Sequence, residues 1–404
     1  MDLTSFLFAI AIISCIYMAC NIGANDVANA MGTSVASKAL TFRQAILIAA
    51  VAEFAGAFFA GGHVSQTIRK GMLDPTMFAD FPLHLVYGMI AALIASAIWL
   101  HLATYLGWPV STTHAIVGAV AGFGIIAAGF SVVNWSKMVS VVLSWFVSPV
   151  VGGLVSYLMF RFIYNLIFNK KNPLERAKVI IPYLVFLVCV ILVNAVVYKG
   201  LKNLYLEWPF SSALLLSLSV GIVGWFIARK VVRKIKPVEP DNIHQQLIST
   251  ENVFKFLQGV NAFYIAFAHG SNDVANAVGP LAAVVSILHE GEVTMKVAMP
   301  LWILALGGGC IVLGLLLWGA RVMHTVGEKI TKITPSRGFS ATFGAATVVL
   351  ICSKMGLPIS TTHTLVGSVI GVGLARGLAT LDLLVVKQIF VSWFATVPFT
   401  AVLA

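Results

Sequence analysis

Apolar runs of about twenty residues follow one another along the whole chain, separated by short polar breaks. A helix needs roughly 20 apolar residues to cross the hydrocarbon core of a bilayer. By that measure the chain divides into about twelve candidate spans: 4–31, 43–62, 83–107, 109–130, 138–160, 179–198, 210–229, 253–288, 297–320, 338–356, 358–376 and 383–404. The first run ends in Ala28-Asn29-Ala30, which mimics a signal-peptide cleavage site. No Lys or Arg precedes that run, and the same tripeptide recurs at Ala275–Ala277, so the segment is read as a retained first span. Composition agrees with the pattern. With 59% apolar and 10% charged residues and a mean hydropathy of +0.95, a soluble globular domain is excluded and an all-α membrane protein expected.

Two motifs occur twice in the same order. Gly23–Ala30 reads GANDVANA and Gly270–Ala277 reads GSNDVANA, and Pro109–Gly118 (PVSTTHAIVG) returns as Pro358–Gly367 (PISTTHTLVG). The interval from Asp26 to Ser111 is 85 residues and that from Asp273 to Ser360 is 87, as expected of one duplicated unit. Seven candidate spans separate the starts of the two copies, and an odd number makes the copies enter the membrane from opposite sides. Two inverted repeats follow, with broken or re-entrant helices at the midplane, an arrangement typical of secondary transporters. The expected organisation is a first repeat over 1–160, linking spans and a polar linker over 161–252, and a second repeat over 253–404. Val231–Asn252 is the longest polar stretch.

The net charge is +11 and the pI near 9.5, but the basic residues lie between the apolar runs. Sorted by alternating loops, 18 of the 26 Lys and Arg fall on one side. The positive-inside rule makes that side cytoplasmic and puts both termini outside, in a multi-pass protein of the plasma (cell inner) membrane. That rule accounts for the basic balance without nucleic acid as a partner. The five cysteines lie in apolar runs with no metal-ligand spacing and imply neither a disulfide framework nor a zinc site.

Of fifteen acidic residues, only Asp26, Glu53 and Asp273 fall well inside spans. A carboxylate at the bilayer centre costs on the order of 3 kcal/mol, so such residues are expected to serve function. Asn25 and Asn29, like Asn272 and Asn276, are four residues apart and share a helix face, with Asp26 and Asp273 one step round. Carboxylate and amide oxygens, with Gly23 and Gly270 allowing backbone carbonyls to be exposed, form a hard-oxygen set suited to Na+. The second motif asks for an anion. Pro109 and Pro358 break any continuing helix, and the hydroxyls behind them stand where N-cap residues stand. Each motif then opens a half-helix whose positive end faces the ligand, and Ser111, Thr112, Thr113, Ser360, Thr361 and Thr362 grip it from two sides. An anion beside two carboxylates is untenable without cations, so cotransport follows from charge balance. His114 and His363 are read as structural, with a proton shuttle as the other role. His269 has no counterpart in the first copy, where Ile22 stands, and is read as lying outside the symmetric site. Glu53, also asymmetric, is a candidate extra ion or access site. No GxxxxGK[ST] motif is present, so ATP coupling is unsupported, and no cofactor beyond the coupling ion is expected. An intramembrane hydrolase built from Ser111, His114 and Asp26 is disfavoured, because the second copy would duplicate the entire catalytic set and no nucleophile turn is present.

Taken together, GANDVANA with GSNDVANA and PVSTTH with PISTTH resemble the signatures of the PiT family of inorganic phosphate transporters, over the length of the chain. The resemblance implies twelve membrane segments in two inverted repeats, phosphate as substrate, and coupling to Na+ or H+, with a proton-coupled phosphate or metal-phosphate symporter as the alternative. It also implies that segments around Pro109 and Pro358 are re-entrant hairpins, and it makes a homodimer a property to look for. The large cytoplasmic loop of that family has only Val231–Asn252 to correspond to it here.

Overall fold

A computed structural model of the protein describes residues 2–70, 72–197, 208–239, 241–291, 293, 299–320, 322, 333–377 and 383–404. Arg321, Lys329 and Lys332, counted on the basic side of the chain, lie outside these residues, as does the end of the expected span 179–198. The described chain is helical, with a lone bridge between Leu73 and Val133. Its helices are α1 (Leu3–Ala36), α2 (Phe42–Ala60), α3 (Gly62–Lys70), α4 (Pro82–Leu106), α5 (Thr112–Ala128), α6 (Trp135–Ile163) and α7 (Pro173–Ala195). They continue with α8 (Phe210–Arg233), α9 (Ile243–Asp273), α10 (Ala275–Glu290), α11 (Leu301–Trp318), α12 (Pro335–Lys354), α13 (Thr361–Leu374) and α14 (Leu383–Leu403). Among the described residues, eight helical segments are long and apolar enough to cross a bilayer, α9 and α10 counting as one segment of 48 residues.

Local sequence sets the helix starts. Asp2 caps α1 by accepting from the Ser5 amide, and hydrogen bonds from the Ser5 side chain and backbone hold its carboxyl below the usual carboxylate range. Thr41 and Gln44 form a capping box on α2. The exterior is apolar: Ile126, Val150 and Val402 are 88%, 71% and 89% exposed, as suits lipid rather than water.

Two pairs of apolar segments, 83–107 with 109–130 and 338–356 with 358–376, fold as two antiparallel helical hairpins turning near Pro109 and Pro358. In the first, α4 and α5 join through residues 107–111, and their far ends come together. There the Phe78 and Phe123 rings stack with centroids 5.8 Å apart, and Asp74 N donates to Val132 O at 2.7 Å. In the second, α12 and α13 join through residues 355–360, and Ser336, Arg337 and Arg376 at the two far ends line one cavity. A hairpin and two consecutive spans carry the same hydropathy, so run length alone does not separate them.

Close helix crossings set the distance between the remaining elements. A Cβ on Gly23 of α1 would land on the Ile311 carbonyl of α11, and one on Gly314 of α11 would land on that of Cys20. The same reciprocal contact joins α2 and α9, where Gly56 faces the Phe267 carbonyl and Gly270 that of Glu53. Gly23 and Gly270 therefore allow close approach of neighbouring helices. They do not open the backbone as the sequence reading expected, since α1 runs unbroken through Gly23–Ala30. The second copy is interrupted once, at Val274 between α9 and α10.

Candidate functional site

The two hairpin tips meet at the level of the duplicated Asp residues. Ser111 and Ser360 are the N-caps of α5 and α13, each side-chain oxygen accepting the amide two residues into its helix, that of His114 or His363, at 3.1 Å. The first amides of a helix have no partner within it, so both tips present donors and the positive end of a helix dipole. The first asparagine of each motif bonds the tip of its own copy, through different atoms. Asn25 donates to the carbonyl of Trp108 at 3.0 Å and accepts from Val110 N at 3.3 Å. Asn272 donates to the carbonyl of Ile359 at 3.0 Å and accepts from Ser353 Oγ at 3.3 Å.

The threonines then lock one tip to the other. Thr113 donates to the Ile359 carbonyl at 2.9 Å, and Thr362 donates to the Val110 carbonyl at 3.1 Å. Each motif thus uses the same residue to bind the same backbone position of its counterpart. Asn29 donates to Asp26 Oδ1 at 2.9 Å and to Thr362 Oγ1 at 2.8 Å. Asn276 donates to Asp273 Oδ1 at 3.3 Å and to the hydroxyls of Thr112 and Thr113 at 3.2 Å each. Thr361 closes the set with a 2.8 Å bond to Asp273 Oδ2. All twelve residues expected from the two motifs are buried and brought to one place.

His269, which the sequence reading set outside the symmetric site, lies at its centre. Its Nε2 is 2.9 Å from Asp273 Oδ2 and 3.7 Å from Asp26 Oδ2, and its Nδ1 is 3.3 Å from Glu53 Oε1. The side chains of all three carboxylates are fully buried and that of His269 is 1% exposed. Asymmetry in sequence was the wrong criterion, because one imidazole reaches the Asp of both copies and needs no counterpart. Glu53 reaches the cluster through the α2–α9 crossing at Gly270.

Three carboxylates, when ionised, outnumber the single charge of a protonated imidazole, and buried charge at this depth requires counter-charge. The oxygens that could meet a cation are present. Asn29 Oδ1, Asn276 Oδ1 and Glu53 Oε2 are buried and accept no hydrogen bond, and Asp26 Oδ2 and Glu53 Oε1 face His269. Asn25 and Asn272 differ from Asn29 and Asn276 in this respect, since their oxygens accept bonds that fix the tips.

His114 and His363 pack on aromatic rings apart from the carboxylates. His114 lies 3.6 Å from the Trp145 ring, His363 stacks on Trp393 at 3.4 Å, and the two imidazoles are 4.3 Å apart. They line an apolar cavity of about 890 Å³ with those tryptophans. The partners form a third duplicated motif, Ser144-Trp145-Phe146 and Ser392-Trp393-Phe394, which sequence reasoning missed. Its signal was the interval, with Trp145 34 residues after Ser111 and Trp393 33 after Ser360.

A helical membrane bundle with two opposed helix N-termini and a buried carboxylate cluster between them has the architecture of a secondary transporter for an anion and its counter-cations. The model of the phosphate transporter family matches residues 22–404, and the chain belongs to that family. A relative from Thermococcus kodakarensis described as a "putative phosphate permease" is 47% identical over 96% of this chain and 93% of its own length. The "inorganic phosphate transporter 2-1, chloroplastic" of Arabidopsis thaliana is 43% identical over 96% of this chain and 69% of its own. A solved structure, "the sodium-dependent phosphate transporter", superposes with a TM-score of 0.92 at 45% identity, covering 98% of this chain and 97% of that one. The relatives are transporters and permeases, which removes the hydrolase reading.

Proposed function

We propose that the protein is a secondary active transporter that imports inorganic phosphate together with Na+ across the plasma (inner) membrane, with both termini outside. The observation that carries this reading is the reciprocal lock of the two tips over a buried carboxylate cluster. Phosphate binds between the N-termini of α5 and α13, where the amides after Ser111 and Ser360 and the motif hydroxyls supply donors. One Na+ takes Asp26 with Asn29 and another Asp273 with Asn276; the oxygens left open to a hard cation are Asp26 Oδ2, Asn29 Oδ1 and Asn276 Oδ1, while those of Asp273 accept from Asn276 and Thr361. Glu53 is placed for a third ion or for the entry path. Asn25 and Asn272 position the tips.

The symmetry of these contacts supports two inverted repeats over 1–160 and 253–404, joined by the paired helices α7 and α8 and by the linker over 161–252. Two Na+ balance a phosphate dianion, and a third makes entry electrogenic, at roughly 2.3 kcal/mol per charge per 100 mV. Proteoliposomes with an inward Na+ gradient at equal pH are expected to accumulate labelled phosphate, and replacing Na+ by K+ to stop it.

A second reading, proton coupling, is favoured by the contacts of His269 with Asp273, Asp26 and Glu53. Accumulation that persists without Na+ and follows an imposed pH gradient would select it.

A further inference from the structure

The second large cavity, of about 920 Å³, lies at the open end of the α12–α13 hairpin, away from the tips. Lys38 after α1, Arg161 of α6, Lys255 of α9, Arg337 of α12 and Arg376 after α13 line it, with His244 of α9 as a sixth basic group. The one carboxylate in its lining, Glu251, caps α12, accepting from Ser336 N at 2.9 Å and Ser336 Oγ at 2.7 Å. The positive-inside rule explains basic residues in loops on this side. It does not explain why five permanent cations from five places in the sequence converge on one cavity.

The ground between this cavity and the carboxylate cluster is polar and uncharged. Asn29 and Thr33 of α1 and its C-cap Ser37 stand at four-residue intervals from the cluster to the cavity wall, a rise of about 12 Å at 1.5 Å per residue. Facing them, Gln258 Nε2 donates to Ser34 Oγ at 2.8 Å and to Thr33 Oγ1 at 3.4 Å. Gln258 Oε1 accepts from Thr342 at 3.5 Å, and Asn261 donates to the same threonine. Asn261 itself is fully buried, and its Oδ1 accepts no bond. Most of these groups bond one another across the helices, and the Asn261 oxygen is left open to a polar guest.

We propose that the basic cavity is a second oxyanion site that binds a phosphoryl group, and that it receives phosphate leaving the tip site along the polar lane on the cytoplasmic side. The proposal rests on the transport reading for its direction and on the cavity alone for its chemistry. An anion between three carboxylates at one end of the lane and five cations at the other is drawn toward the cations. The same chemistry would take the headgroup of an anionic lipid, and the two sources separate experimentally.

Phosphate exchange is measured in proteoliposomes with the concentration varied on each side in turn. In the variant Arg161→Gln/Lys255→Gln/Arg376→Gln, the half-saturating phosphate concentration on the basic side is expected to rise at least fivefold. On the far side it stays within twofold of wild type, in phosphatidylcholine vesicles with or without phosphatidylglycerol. No rise, an equal rise on both sides, or a rise confined to vesicles containing phosphatidylglycerol overturns the proposal, the last by assigning the cavity to lipid.

A second measurement does not depend on transport. In detergent, Ile248→Cys, exposed on the cavity wall, is labelled by an anionic and by a cationic methanethiosulfonate. The anionic reagent is expected to react faster, inorganic phosphate to slow it, and the charge-neutral variant to lose both effects. Equal rates for the two reagents, or no slowing by phosphate, overturn the proposal even where uptake is normal. Failure of wild-type uptake with protection intact would instead count against the transport reading.

Discussion

Replacing Thr362 by Val tests the lock between the tips, because the side chain keeps its shape and loses only the hydroxyl. In the native structure that hydroxyl donates to the Val110 carbonyl at 3.1 Å and accepts from Asn29 Nδ2 at 2.8 Å. The substitution leaves one buried acceptor and one buried donor unpaired, each costing about 1–3 kcal/mol. Allowing for relaxation, a loss of about 3 kcal/mol is expected in the assembled site, somewhat more than a hundredfold at 1.4 kcal/mol per factor of ten. The loss should fall on binding, since Asn29 is the bridge between Thr362 and Asp26. Uptake measured against both phosphate and Na+ should show raised half-saturating concentrations at normal membrane abundance, and Thr362→Ser should restore them. Thr113→Val removes the matching bond to the Ile359 carbonyl at 2.9 Å and should behave alike. Near-native kinetics in Thr362→Val, or a severe effect in one variant with none in the other, would refute a site built from two equivalent halves.

Asp26→Asn and Asp273→Asn should each abolish Na+-driven uptake without lowering abundance, because removing a charge at this depth favours insertion by up to about 3 kcal/mol; normal uptake in either variant removes that carboxylate from the mechanism. Ser111→Ala and Ser360→Ala should weaken phosphate binding by similar amounts, about 1.5–3 kcal/mol for each lost bond to a charged ligand, as read by titration of the purified protein. Gly23→Ala and Gly314→Ala should each fail to accumulate as folded protein, since the added carbon meets the carbonyl of Ile311 or Cys20 across the α1–α11 crossing, whereas Gly309→Ala, with open space around it, should not. Detergent-solubilised yield and elution profile check all three.

Much of this site is legible because duplication writes the same chemistry twice. A single Ser-Thr-Thr is ordinary helix packing, but two copies at matched distances from two Asn-Asp-x-x-Asn sets have to meet. Harder to read were the features that duplication does not repeat. His269 serves both Asp residues from one copy, so the comparison of copies that singled out Asp26 and Asp273 discarded it. The hairpins came from the resemblance and not from hydropathy. Hydropathy reports what surrounds a helix and not which way it runs, so α4 with α5 and α12 with α13 look like ordinary pairs of spans. Roles within the motif needed coordinates as well. Asn25 and Asn29 are equivalent in spacing and chemistry, yet one spends its oxygen on Val110 N while the other keeps it free.

Asn29 and Asn276 join the cation oxygens to the tips, and that connection supplies a physical basis for coupling. Each amide donates to an Asp and to one or two threonine hydroxyls of the opposite repeat's motif, while its own oxygen lies open to an ion. A cation on that oxygen fixes the orientation of the amide, and with it the direction of the N–H groups that hold the threonines. The same threonines bond the facing tip, so ion occupancy and the register of the two hairpins depend on one set of hydrogen bonds. An anion held between the tips then adds its charge to the balance of the carboxylate cluster. On the proposed assignment of ion and phosphate, each stabilises the other through shared residues, and neither needs a long-range pathway to sense the other.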